Sequence, residues 1–150
     1  MPTYISSQGI EDLKKELDKR KGARKDISEK ISAAKELGDI SENFEYHEAK
    51  EQQAMNEMRI AELDEIVKDF VIVDETTGSQ RIELGVSFDV EVGKETKLFQ
   101  IVGSTEASPM SGKISNESPI GQAFLGRKAG ETVKVKVPSG SVTYKILSIR

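Results

Sequence analysis

From Ser6 or Ser7, either of which can cap a helix start, Ile10, Leu13, Leu17, Arg20, Arg24, Ile27, Ile31 and Ala34 recur at alternating steps of three and four. This spacing draws one stripe down a helix face and predicts a packed heptad seam, with two arginines at positions that call for apolar side chains. A second stripe of the same kind runs Glu45, Ala49, Gln52, Asn56, Arg59, Leu63, Ile66 and Phe70, polar in its first half and apolar in its second. Between the stripes lies Leu37-Gly38-Asp39-Ile40-Ser41, in which Gly38 is a good helix stop. Helices joined by so short a loop run antiparallel. Residues 1–75 therefore read as an antiparallel α-helical coiled-coil hairpin, a rod roughly 45 Å long. Gly22 falls inside the first helix, costs about 1 kcal/mol relative to alanine, and has no explanation in the pattern.

The pattern changes near residue 70. Ten of the eleven valines and nine of the twelve glycines follow that point. Candidate strands are Phe70–Val73, Val86–Val92, Lys97–Val102, Thr132–Val137 and Val142–Ile149, with clean alternation in Val133-Lys134-Val135-Lys136-Val137. Pro138-Ser139-Gly140 signals a hairpin turn. Ser118 to Gly126 reads as one short helix, with Ser118 as cap, Pro119 at the first helical position and Gly126 as stop. The fold class is α+β, with residues 76–150 forming a small antiparallel sheet domain that carries a short helix.

Composition narrows the chemistry. The chain has 150 residues, no cysteine and one histidine, His47, so disulfides, thiolate metal sites and histidine cages are excluded. No apolar run approaches the length of a membrane span, and the first residues lack a signal-peptide pattern. A cytoplasmic location without membrane contact is expected. The net charge of −4 argues against a general duplex-DNA binder. Within the hairpin the charge is divided: residues 1–37 carry nine bases and seven acids, residues 38–69 three bases and ten acids. Opposite signs on paired helices help set partner and register.

Candidate chemistry gathers at the hairpin turn. Asp39 and Glu42, three residues apart, can present two carboxylates on one side. Hard oxygen donors suit Mg²⁺, but two would hold it weakly, and another molecule would have to complete the shell. The same spacing is that of a helix capping box, and spacing alone favours the cap. Lys35 and Lys50 flank the turn and could attract phosphate or form a solvated face. Phe44 and Tyr46 are expected to pack the loop. Lys14, Lys15, Lys19, Lys21 and Lys25 alternate with acids as an ordinary helix surface does. The run Gly126-Arg127-Lys128-Ala129-Gly130 lacks the pattern of a phosphate-binding loop.

Two longer motifs resolve the ambiguity. Gly38-Asp39-Ile40-Ser41-Glu42-Asn43-Phe44-Glu45-Tyr46-His47-Glu48-Ala49-Lys50-Glu51-Gln52-Gln53 resembles the tip signature of the Gre transcript-cleavage factors, the GreA branch in particular. Ser118-Pro119-Ile120-Gly121-Gln122-Ala123-Phe124-Leu125-Gly126-Arg127-Lys128-Ala129-Gly130-Glu131 resembles their second signature, in the expected order. The likeness covers nearly the whole chain. It implies an FKBP-like second domain that is not a prolyl isomerase and docks at the rim of a channel in bacterial RNA polymerase. It implies a hairpin that enters that secondary channel, and tip acids that help the polymerase cut backtracked RNA at its own active centre. On that likeness the tip acids are Asp39 and Glu42, the bases facing the nascent RNA 3′ end are Lys35 and Lys50, and the loop-shaping residues are Asn43 and Tyr46. The free protein would need no cofactor and would have no nuclease activity. Mg²⁺ would be shared with the polymerase in the complex, and DNA would be met only through the elongation complex. Ile40, Ser41 and Phe44 fall where family members vary, and Phe44 is bulkier than the alanine common there.

Two other classes remain open. A channel-binding inhibitor of the same shape would block the polymerase without stimulating cleavage, and the intact Gly38-Asp39…Glu42-Asn43 speaks against it. A coiled-coil adaptor or a prolyl isomerase on the sheet domain is the other. An isomerase needs an aromatic-lined pocket, and beyond Phe70 only Phe88, Phe99, Phe124 and Tyr144 are available.

Overall fold

In the computed structural model, which describes residues 2–38 and 43–150, the element order is β1 (Thr3–Ile5), α1 (Ser7–Lys35), α2 (Phe44–Lys68), β2 (Phe70–Ile72), β3 (Ser87–Val92), β4 (Glu95–Val102), β5 (Lys113–Ser115), α3 (Pro119–Phe124), β6 (Thr132–Val137) and β7 (Gly140–Ile149). The chain forms two compact units: residues 10–69, and residues 1–9 together with 70–150. The division predicted at residue 75 differs from this because Thr3–Ile5 and Phe70–Ile72 pair as a parallel two-stranded ribbon within the sheet unit. Three residues of strand are too few to show a period, so β1 left no pattern to read.

The helical unit is an antiparallel pair. Glu16 meets Arg59, Arg20 meets Asn56 and Ala34 meets Asn43, so positions rise on one helix as they fall on the other. Near the root the seam is apolar: Leu17, Ile60 and Leu63 are buried, with Leu13 and Val67 packed against them. Removing each such side chain from water is worth about 1.5–3 kcal/mol. On α2 the seam positions are Tyr46, Ala49, Gln53, Asn56, Ile60, Leu63 and Val67, all buried or half-buried. Ala49, Asn56 and Leu63 were expected there. The alternate positions fall one residue later than predicted, because steps of three and of four both return to the same helix face.

Midway along the rod the apolar seam gives way to a polar layer. Asn56, buried, donates from Nδ2 to the Arg20 carbonyl at 2.9 Å. The Glu16 carboxylate accepts from Arg20 Nε at 2.6 Å and from Arg59 Nε and Nη2 at 3.0 and 3.1 Å. Arg24 makes two bonds to Glu57, at 2.7 and 2.9 Å. The two arginines that interrupted the first stripe are thereby explained, since each finds its partner within this layer. The hydrogen bonds from Arg59, then those from Arg20, hold the Glu16 carboxyl down at about 2 against an ordinary 4.5.

In the sheet unit the five-stranded sheet has the order β5-β4-β3-β7-β6. Three pairings are antiparallel; β5 runs parallel to β4, so the sheet is mixed rather than wholly antiparallel. The alternation in β6 puts Val133 and Val135 in the core and Lys134 and Lys136 in solvent. Phe88, Val90, Ile101, Phe124 and Ile146 lie fully buried at the centre. Helix α3 begins as its cap predicts: Ser118 Oγ accepts from Gly121 N at 3.1 Å. Gly121 cannot be larger, because a Cβ there would lie 1.9 Å from the Ser115 carbonyl oxygen. The start of α1 is held by side chains of the same unit. Glu106 accepts from the Ser6 amide and hydroxyl, Asp74 accepts from the Ser7 amide and hydroxyl, and Ser6 Oγ accepts from Gly9 N.

Two outcomes follow for stability. The Glu16 pKa is depressed on folding, so its contribution is complete above about 4.5 and is lost as pH falls toward about 2. Glu16→Gln is expected to lower stability by about 1–2 kcal/mol at neutral pH, with wild type and variant converging in acid, as read from thermal melts by far-ultraviolet circular dichroism. A Cβ at Gly22 would meet nothing within 4 Å, so Gly22→Ala is expected to raise stability by about 1 kcal/mol in the same melts. The structure gives no reason for glycine at that position.

Candidate functional site: the hairpin tip

Helix α1 carries Lys35 in its last turn, and α2 carries Glu45 in its first. Each charge matches the helix dipole at its end. The Leu37 amide donates to the Ala34 carbonyl at 3.1 Å, and Gly38 follows with φ +130°, a value that favours glycine.

On the other side of the loop, Asn43 is the cap of α2. Its Oδ1 accepts from Tyr46 N at 3.0 Å, and its backbone carbonyl accepts from His47 N at 3.1 Å. Its Nδ2 donates back across the hairpin to the Ala34 carbonyl at 2.5 Å. One side chain thus caps one helix and ties it to the other, and the two ends of the loop are closed on each other. The capping that spacing alone favoured for Asp39 and Glu42 is performed by Asn43. Asp39 and Glu42, the two predicted acids, lie outside the described residues.

The remaining predicted residues are placed as follows. Tyr46 is half-buried on the seam, with its ring edge-on to His47 at a centroid distance of 5.5 Å. The structure brings Asn43 and Tyr46 together through the cap bond. Lys35 is exposed, and Lys50, also exposed, donates to Gln53 Oε1 at 3.1 Å. Phe44 does not pack the loop as expected: it is 77% exposed. The reason is helical geometry, since Tyr46 takes the seam and a residue two positions earlier points to the far side. Asn43's tie to Ala34 was not legible in advance, because the loop-shaping role came only from the family likeness and named no partner.

Among the described residues no group of three or more His, Asp or Glu side chains could hold a metal ion. The donor set of Asp39 and Glu42 is chemically suited to Mg²⁺ but too small to hold it without ligands from elsewhere. No helix among the described residues is long and apolar enough to cross a membrane.

The sheet unit has its own concave feature, a cleft of about 660 Å³ lined by Phe99, Ile114, Ile120, Leu98 and Met110, with Tyr144 beside them. Phe88 and Phe124, the other two aromatics of that region, are buried behind it in ring contact with Phe99. Lys97 and Tyr144 are the titratable side chains of its lining.

A helical hairpin with a tied acidic turn, followed by a small mixed-sheet unit, defines an architecture that comparison with known proteins identifies. Residues 3–72 match the family model for the transcription elongation factor N-terminal domain, and residues 77–150 match that for the GreA/GreB C-terminal domain. The chain belongs to the GreA/GreB family and is a transcription elongation factor of the Gre type. It is 47% identical over 154 aligned residues to transcription elongation factor GreA of Roseiflexus castenholzii, covering 99% of this chain and 98% of that protein. It is 43% identical to the GreA of Caldanaerobacter subterraneus subsp. tengcongensis, again over 99% and 98% of the two chains. A solved structure, the GreA factor homolog 1 protein of Thermus thermophilus, is 26% identical with a TM-score of 0.46, covering 100% of this chain and 99% of that one.

The tie at the loop makes a specific demand. Asn43→Ala is expected to cost about 1–2 kcal/mol through the lost cap and to unprotect the Tyr46 amide in hydrogen exchange. Asn43→Asp keeps the acceptor and loses the donor to Ala34. It should retain Tyr46 protection and fall between wild type and alanine in thermal melts at neutral pH.

Proposed function

We propose that the chain acts on backtracked bacterial RNA polymerase, entering its secondary channel with the hairpin and stimulating the polymerase's own endonucleolytic cleavage of the extruded RNA. Arrested complexes are thereby returned to elongation. The observation that carries this reading is the motif Gly38-Asp39…Glu42-Asn43 at the turn of the hairpin, in a chain whose two halves both match the family.

The physical logic runs from the shape. A pair of helices of 29 and 25 residues is slender enough to reach into a channel. A polar layer in its middle and exposed charges along its length lose little on entering a wet channel. At the turn, Asp39 and Glu42 supply carboxylate oxygens toward a Mg²⁺ shared with the polymerase. Bound there, that ion would activate water and stabilise charge on the phosphodiester. Lys35, at the end of α1, and Lys50, in the second turn of α2, face the RNA 3′ end and favour its phosphates. Asn43 holds the loop ends so that the acids are presented together, and Tyr46 seats the first turn of α2 on the seam. The sheet unit docks at the channel rim. The free protein does no chemistry, since two carboxylates retain Mg²⁺ only weakly.

The test uses purified polymerase and stalled, backtracked complexes. Wild type is expected to shorten the RNA. Asp39→Asn and Glu42→Gln should each lose roughly 100-fold or more of the stimulation, while competing normally with wild type for polymerase. Factor alone should leave free RNA intact. Cleavage by either variant at the wild-type rate would reduce that acid to a structural role. A wild-type factor that binds and only slows the polymerase would make it a channel-blocking inhibitor.

A further inference from the structure

We propose that Phe44 is a stacking platform for a nucleobase of the extruded RNA, and so a specificity-determining residue; this rests on the cleavage reading above. Among the described residues nothing covers the ring. Phe44 is the first residue of α2 and is 77% exposed, while the seam beside it is filled by Tyr46 and Ala49. An alanine would serve the helix as well, and its intrinsic propensity is better. Leu37, on the α1 side of the same loop, is 68% exposed. Apolar side chains therefore flank the acid-bearing segment on both sides.

Charge decides what such an edge can hold. Glu36, Glu45 and Glu48 are all exposed around it. Phe44 itself offers a phosphate neither charge nor a donor, and on the cleavage reading the phosphates are left to Lys35 and Lys50. A nucleobase is uncharged, and its π-face can lie on the ring without bringing a second anion close. Distance points the same way. Phe44 follows Glu42 by two residues, so their Cα atoms are at most about 7–8 Å apart. On the cleavage reading the RNA end is brought to the ion shared at Asp39 and Glu42, and Phe44 is the aromatic residue next along the chain. Stacking on an aromatic ring tolerates every base, which suits a factor that meets RNA ends of any sequence.

The experiment uses the full chain, purified polymerase and two backtracked complexes that differ only in the extruded RNA, which carries either normal bases or abasic riboses. The reading is the factor concentration that gives half-maximal cleavage. On normal RNA, Phe44→Ala should need roughly fivefold more factor, the lower end of what one base–aromatic stack contributes, and Phe44→Trp should match or better the wild type. On abasic RNA the three proteins should respond alike. Because the ring is exposed, all three should share one melting temperature, which checks that folding is intact. Equal performance of Phe44→Ala and wild type on normal RNA would overturn the proposal. So would an equal loss on both RNAs, which would mean that the ring touches the polymerase. A wild-type factor that shortens neither RNA would overturn the cleavage reading itself, and the stacking proposal with it.

Discussion

The buried amide of Asn56 holds the hairpin in register. Its Nδ2 finds an acceptor in the Arg20 carbonyl on the opposite helix. Sliding one helix by a turn would move the pair by about 5.4 Å and leave the amide buried without a partner, at a cost of about 1–3 kcal/mol. A seam of leucines alone would not resist such slippage so firmly, since neighbouring apolar layers are nearly interchangeable. Glu16 reinforces the setting by accepting from arginines on both helices, Arg20 of α1 and Arg59 of α2. Its partly exposed ion pairs contribute modestly to stability, yet they are directional and add to the preference for one alignment. Everything at the tip follows from this. Only in this register does Ala34 stand opposite Asn43, so that one side chain can close the loop.

The hairpin is also anchored at its other end. The strand that precedes α1 and the strand that follows α2 pair residue for residue, Thr3 with Phe70 through Ile5 with Ile72. Glu106 then accepts from the amide of Ser6, just before α1, and Asp74 from that of Ser7, its first residue, which a lone helix would leave to water. The rod has little core of its own: its buried apolar cluster is Leu17, Ile60 and Leu63. Most of the apolar burial belongs instead to the sheet unit, where Phe88, Phe124 and Ile146 are wholly enclosed. Packing is thus concentrated in one unit, and the other is left free to be long, charged and thin.

Much of this was readable from the residues alone. The two helices, the short helix capped by Ser118, and five of the seven strands follow from spacing, capping and alternation. What failed did so for identifiable reasons. Strands β1 and β5 are three residues each and, unlike the equally short β2, which begins the apolar run Phe70–Val73, neither lies in an apolar run. The parallel placement of β5 beside β4 depends on a crossover that no local pattern encodes. On α2, a sequence with polar residues at half its seam positions cannot distinguish Gln52 from Gln53, or Arg59 from Ile60 with Ile66 from Val67, until the partner helix is present. At the candidate site the residue types and the turn are legible, while the cap is not: spacing alone offers Asp39 and Glu42 as a capping box, and the cap of α2 is Asn43. Both residue types cap well, and the choice is made by the cross-hairpin bond to Ala34, a tertiary contact. Phe44 was misjudged because bulk and hydrophobicity argue for burial, whereas its angular position on the helix argues against it.

The acids around the turn recur with a regularity that bears on the mechanism. Glu36, Asp39, Glu42, Glu45 and Glu48 come at every third residue, bounded by Lys35 and Lys50. Five carboxylates within thirteen residues place negative charge densely along the sequence of the turn, and Asn43 ties its two ends through neutral hydrogen bonds. A cation brought to such a turn is attracted by all five, but it needs more oxygen ligands than two short side chains can supply. On the proposed reading, the polymerase provides the remaining ligands, and this negative charge becomes part of the driving force for sharing its ion. A tip that bound Mg²⁺ tightly by itself would arrive with its charge already neutralised and would have little reason to engage the host's metal. On the proposed reading, weak binding in isolation is the behaviour expected of a tip whose acids serve an ion held by the polymerase.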